Sequence, residues 1–392
     1  MKKLYLFLCV ISLILLSACS ADDAGNDDNY LTVELNSTPT QSRLTASMLG
    51  TSSRVRIKGT MNQEDFKVLY NSTTIQHLDL TDVNVVGKIL VAYDSEPIGD
   101  TPLYQENNAI PFGAFGEHID AESGSTDNVP ANNTLQTIQL PKTITTIGRR
   151  AFTNCQGLIE IPTFPAGLKK ILNFSFDKCH NMRGEFNFPD SLEVIGNAAF
   201  GGCKKMTGTL KLPSKITTVF VQAFIDCIGI TKLELHENIS LIGPSSFAGM
   251  TGLTSLTLPK NLSTIDYSAF QGCAGLRGSL TMPESLGQMA DRVFVDCGFD
   301  GTLTLNKNLY EMRDYVFYNT NFKAIVLNWE TSDEIPEGWH PVTSNWFPEN
   351  FETSKGKTDY IIYIPIGTMD VYKSAFSDAN GNVFYNFKEG KP

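Results

Sequence analysis

Six cysteines are the first residues here whose chemistry needs explaining. Cys155, Cys179, Cys203, Cys227, Cys273 and Cys297 recur at steps of 24, 24, 24, 46 and 24 residues. Thiols could bridge, hold a metal or attack a substrate. No C-x-x-C pair and no zinc-type Cys/His spacing accompanies them. Neighbouring turns of a repeat could bring some within disulfide range, but equivalent side chains point in parallel, which suits small buried hydrophobes better than bridges. Free core thiols are expected.

Other chemistry is thinner. His77, His118, His180, His236 and His340 are scattered, and the chain has no G-x-S-x-G, H-E-x-x-H or P-loop. No carboxylate pair stands out from the rest. Asp120, Glu122 and Asp127 could meet a calcium ion, but their spacing is not that of an EF-hand loop. The expectation is a protein with no catalytic residues, no metal and no cofactor. Trp329, Trp339 and Trp346, with His340 and Phe347, all fall between residues 328 and 351. They form a candidate aromatic patch that could grip a sugar or anchor a protein contact. The favoured alternative is that they plug the open end of a core.

The elements that hold these residues repeat. Ala-Phe or a close variant ends at Phe152, Phe176, Phe200, Phe224, Phe247, Phe270, Phe294 and Phe317, at steps of 23 or 24 residues. So regular a period implies a solenoid whose phenylalanines stack into a spine. In one unit, Leu256 and Leu258 alternate with Thr257 as a short strand, and Pro259 ends it. Leu262 and Ile265, then Ala269-Phe270, suggest a helical or 3₁₀ back half. Stacked coils would then form a parallel sheet with right-handed crossovers. The residues pointing outward from successive strands are Gln139, Glu160, Asn187, Lys211, Glu234, Thr257, Thr281 and Thr304. They are candidate ligand-binding positions, although Thr and Ser also suit a merely solvated strand face. This face lacks aromatic residues.

The run from Leu135 to Leu158, with Leu140-Pro141, Ile147-Gly148, Ala151-Phe152 and Cys155, resembles the repeat of BspA-like leucine-rich-repeat surface proteins. Tyr363-Ile364-Pro365, Gly367 and Tyr372-Lys373 resemble the usual end of such chains. The resemblance spans roughly residues 31–392. It implies an α/β repeat solenoid, with a parallel sheet on the concave face, short helical or 3₁₀ turns on the convex face, and caps at both ends. It also implies ligand binding on the concave face. Two units depart from the pattern: one has His236 for Pro and Met250 for Cys, and the other carries Pro165-Ala166-Gly167. Local distortion is expected at both.

The N-terminus supplies an address. Lys2-Lys3, the apolar run Leu4 to Leu16 and Leu16-Ser17-Ala18-Cys19 resemble a bacterial lipoprotein signal with its lipobox. Cys19 is then the lipidated residue. The acidic segment behind it is similar to that of Bacteroidetes lipoproteins exported to the outer face of the outer membrane. The expected layout is a signal peptide at 1–18, a disordered tether at 19–30, and a strand–helix–strand cap at 31–82. The solenoid follows at 83–327, with insertions at 94–108 and 116–133, and a C-terminal cap at 328–392. The formal charge of −11 argues against a nucleic-acid partner. Together these features imply a non-catalytic surface lipoprotein for protein binding or adhesion. The alternative is a glycan-binding lipoprotein for polysaccharide capture.

Overall fold

The computed structural model describes residues 29–94, 101–116, 132–335, 361–375 and 386–392. The signal peptide, Cys19, the tether up to residue 28, the three candidate calcium carboxylates, Trp339 and Trp346 lie outside the described residues.

The N-terminal segment holds three parallel strands and two helices. Strand β1 (Leu31–Asn36), helix α1 (Ala46–Leu49), strand β2 (Arg54–Met61), helix α2 (Gln63–Tyr70) and strand β3 (His77–Val85) follow in order. Asn62 caps α2 by accepting the N–H groups of Glu64 and Asp65, and Asp65 returns the bond to the Asn62 N–H. Phe66 and Leu69 form the buried face of α2. The strands pair in parallel, and β3 pairs onward with the first repeat strand, Thr137–Gln139. A glycine such as Gly59 would ordinarily end a strand, yet β2 runs through it to Met61. It sits at φ +92, and a Cβ there would lie 2.1 Å from the Leu35 carbonyl oxygen. Glycine is required because β1 approaches too closely for a side chain.

Within the segment expected to be irregular, 94–108, the described residues Asp94 and Thr101–Glu106 lie in strand. Strands β4 (Lys88–Asp94) and β5 (Thr101–Glu106) form an antiparallel hairpin.

The phenylalanine spine forms one column. Ring centroids from Phe115 through Phe152, Phe176, Phe200, Phe224, Phe247, Phe270 and Phe294 to Phe317 are 4.9 to 5.9 Å apart, and no pair is tilted by more than 22°. Phe66 meets Phe115 edge-on at 6.0 Å, so α2 closes the column at its N-terminal end. Burying each ring contributes roughly 1.5–3 kcal/mol. The spine is therefore a major share of what holds the coils together.

Each coil has a second strand that periodicity alone does not reveal. Ile265, expected on a helical back half, lies in the strand Thr264–Ile265. Equivalent two-residue strands at 146–147, 170–171 and 194–195 form one parallel sheet, with 109–110 beside them. Those at 218–219, 241–242, 264–265, 288–289 and 311–312 form another.

The back half is not helical either. Among the described residues, no helix falls between Thr137 and Val326. The segment around each Ala-Phe is a chain of tight turns in which alternate N–H groups leave the coil. Phe224 N–H donates to Ser246 O (2.9 Å) and Asp226 N–H to Ala248 O (2.8 Å), both in the next coil. Between them, Ile225 N–H closes a turn onto Gln222 O (3.1 Å). A helix would direct every donor along its own segment and forfeit this ladder. The ladder needs two left-handed residues per coil, such as Gln222 and Asp226, or Ser268 and Gly272. The second of these precedes the Cys position, and it is Asn, Asp or Gly in every coil from Asn154 to Asn319 except at Lys178. Those types tolerate the conformation best. That recurrence was the available signal.

The C-terminal end continues the parallel pairing through 324–326, 361–364 and 387–389. Trp329 is fully buried here, and its carbonyl accepts the hydroxyl of the equally buried Tyr372 at 2.8 Å. It plugs the core and has no surface to offer a ligand, so it leaves the candidate aromatic patch.

Candidate ligand-binding face

The thiols are free and buried. Each Sγ–H points at the spine carbonyl of the preceding coil: Cys179 to Phe152 O (3.1 Å), Cys203 to Phe176 O (3.3 Å), Cys227 to Phe200 O (3.3 Å) and Cys297 to Phe270 O (3.1 Å). Burial pushes the Cys155, Cys179, Cys203, Cys227 and Cys297 thiols well above the usual range. They are structural groups, since only a thiolate reacts or ligates.

The described histidines are likewise structural. His77 Nδ1 meets Thr137 Oγ1 at 2.9 Å, and burial, then Arg54, lowers its pKa. Burial also lowers that of His180, with Lys204 and Lys178 adding to it. His236 stands where other units have Pro. Its Nδ1 accepts the Asn238 N–H at 3.2 Å, which leaves Nε2 to donate to Pro213 O at 2.8 Å. Both strands of this unit pair in parallel with the preceding coil, but the first is irregular: Thr231 is an extra residue between the partners of Gly208 and Thr209, and the strand has no partner in the following coil among the described residues. Among the described residues no group of three His, Cys, Asp or Glu could hold a metal.

The eight outward positions share the first-strand face. Gln139, Glu160, Asn187, Lys211, Thr257 and Thr281 are exposed, and Glu234 and Thr304 are half-buried. The sheet beneath them is not continuous. Thr137–Gln139 belongs to the cap sheet, Gly208–Lys211 pairs only with Ile230–Glu234, and pairing resumes at Leu280–Thr281. Glu160 makes a single bridge to Arg183. Asn187 and Thr257 sit on segments with no strand pairing.

The structure brings Asn187, Lys211 and Glu234 together. They line a groove of about 330 Å³ with Glu185, Phe186, Phe188, Asp190, Thr209, Leu212 and Pro213. The half-buried Phe188 supplies the aromatic wall that the outward positions alone lack. Lys232 bonds Glu234 at 2.7 Å, and this hydrogen bond first, then the Lys232 charge, holds the Glu234 carboxyl below its usual range. The remaining five outward positions do not reach this groove.

Fold and site together define a repeat-built scaffold with one exposed polar row. The chain belongs to the BspA-type leucine-rich repeat family, whose repeat matches in six copies over residues 127–227, 183–300 and 278–355. Among solved structures, a leucine-rich repeat protein from Bacteroides ovatus is similar at 18% identity, covering 81% of this chain and 92% of that one, with a TM-score of 0.48. The pneumococcal vaccine antigen PcpA is similar at 16% identity, covering 92% and 83%, with a TM-score of 0.41. A leucine-rich cell surface protein from Faecalibacterium prausnitzii is similar at 14% identity, covering 70% and 88%, with a TM-score of 0.30. No curated protein matches.

Proposed function

We propose that this protein is a non-catalytic surface lipoprotein that binds a protein partner through its first-strand face. One observation carries the reading: a largely exposed polar row runs along a scaffold whose described thiols and histidines are spent on packing and hydrogen bonding. The Lys2-to-Cys19 pattern supports a lipid on Cys19 and residence at the outer membrane, exposed to the outside.

The test is capture of host matrix proteins and of a glycan array by the purified protein, beside a variant carrying Gln139→Arg, Lys211→Glu and Thr281→Arg. Capture of a protein by the parent alone supports the reading. Capture of glycans only, or release of products from a polymer, overturns it. Incorporation of a labelled fatty acid that is abolished by Cys19→Ala checks the anchor, and protease shaving of intact cells checks exposure. The glycan alternative loses Trp329, which is buried.

A further inference from the structure

The coils of Phe200 and Phe224 meet unlike the other coils of the array. Every other described junction from Phe152 to Phe317 keeps its second-strand pairing. At this one, 194–195 and 218–219 belong to different sheets, and 208–211 has no strand partner on the same side. On the first-strand side the two coils meet at the Gly184–Met206 bridge, where Thr207 N–H donates to Gly184 O (2.9 Å). The turn ladder is intact, through Ala198 to Val221, Phe200 to Ala223 and Gly202 to Ile225 (2.8 to 2.9 Å). The two coils are therefore joined along the turn side and at the Gly184–Met206 bridge, and are unpaired along the rest of both strand sides.

The split coincides with a change in packing. Phe186 and Phe188 occupy inward positions that Leu210 and Leu212, or Leu303 and Leu305, fill elsewhere. Phe186 packs edge-on against both Phe200 (5.0 Å) and Phe224 (5.7 Å), and Phe188 stacks on Phe164 (5.7 Å). These rings need more room between coils than leucine does, and a close-packed interior cannot absorb the excess.

The groove lies in this split, and its floor includes an open strand edge. Leu212 N–H donates to Glu234 O in the next coil (3.3 Å). Backbone groups of a strand alternate sides, so Thr209 and Lys211 turn theirs toward the groove. Glu185, Asp190 and Glu234 outnumber Lys211 among the charged groups on its walls, and Phe188 offers a ring face.

We propose that this split is a docking site for an extended peptide, which pairs with the free edge of Gly208–Lys211 and lays an arginine side chain between Phe188 and the Glu185 and Glu234 carboxylates. Strand addition takes its affinity from main-chain bonds and its specificity from the alternate side chains. A guanidinium suits both a ring face and carboxylates. The inference rests on the first-strand face being the binding face, and it names where on that face and for what.

The experiment titrates the whole protein with fluorescent acetyl-Thr-Arg-Thr-Arg-Thr-amide, the same peptide with Glu for Arg, and one with Pro for the central Thr. The arginine peptide should bind at least about tenfold tighter than either control. It should slow amide exchange at Thr209 and Lys211. A Glu185→Gln, Glu234→Gln double variant with unchanged thermal unfolding should lose about fivefold in affinity. Equal binding of the three peptides, no binding up to about 1 mM, or unprotected Thr209 and Lys211 amides overturns the proposal. So does displacement by a neutral disaccharide with no response to arginine. If matrix-protein capture survives the double variant, the groove assignment falls and the wider face stands. If the peptide binds and no protein is captured, the reverse holds.

Discussion

The rings of Phe200 and Phe224 lie 5.7 Å apart and only 5° from parallel, yet the strands of their two coils do not pair with one another. Spine and sheet are therefore separable here. Val194 and Gly196 N–H groups bond Lys169 O (3.1 Å) and Ile171 O (2.8 Å) one coil back, while the equivalent Thr218 and Phe220 donors have no such bond among the described residues. Native-state hydrogen exchange should find Thr218 and Phe220 about 10- to 100-fold faster than Val194 and Gly196. Equal protection would mean the junction closes in solution.

Within the spine, Phe270 is fully buried between Phe247 and Phe294, at 5.4 Å from each. Phe270→Ala removes ring contacts on both sides and leaves a cavity. Denaturant unfolding should show a loss of about 3–5 kcal/mol.

The cysteine ladder predicts silence toward thiol reagents. Cys203 and Cys227 are wholly buried, their thiols are raised by that burial, and each faces a carbonyl. A disulfide reagent should modify none of the six repeat cysteines in the native protein within minutes and all of them after denaturation. Prompt native labelling would contradict this packing.

Asp177 predicts a pH effect. Burial raises its carboxyl from 3.8 to about 6, against the pull of Lys178 and Arg150. The folded state then holds this proton at pH values where the unfolded chain has lost it. Its contribution is fully favourable below about pH 4 and is lost as pH rises through about 6. At pH 7, Asp177→Asn should stabilise the protein by roughly 1–3 kcal/mol. At pH 4 the gain should shrink toward zero, as measured by thermal unfolding at the two values.

Gly59→Ala tests the cap. The new Cβ would collide with the Leu35 carbonyl, at a φ that alanine resists. Strands β1 and β2 must move apart, and an unfolding loss of more than about 2 kcal/mol is expected.

Much of this was legible because the repeat writes the same instruction many times. Phe152 through Phe317 announced a column, and the parallel cysteines announced free thiols. The second strand was not legible at Thr264-Ile265, since two residues carry no period of their own. The turn ladder was signalled only by the Asn, Asp or Gly before each Cys position, because Leu262, Ile265 and Ala269 have spacings that a helix also satisfies. The choice between them depends on where the N–H of Phe270 finds its acceptor, and that acceptor, Val293 O, belongs to another coil.

The site divides in the same way. Sequence alone placed Asn187, Lys211 and Glu234 on one face, because alternation within a strand is a local property. It could not say that these three of the eight would share a groove. That depended on Phe186 and Phe188, whose rings meet the spine of both coils, Phe200 and Phe224, where the strand pairing lapses. Period is set residue by residue along the chain. The gap between coils is set by the volume of side chains that meet only after the chain has folded.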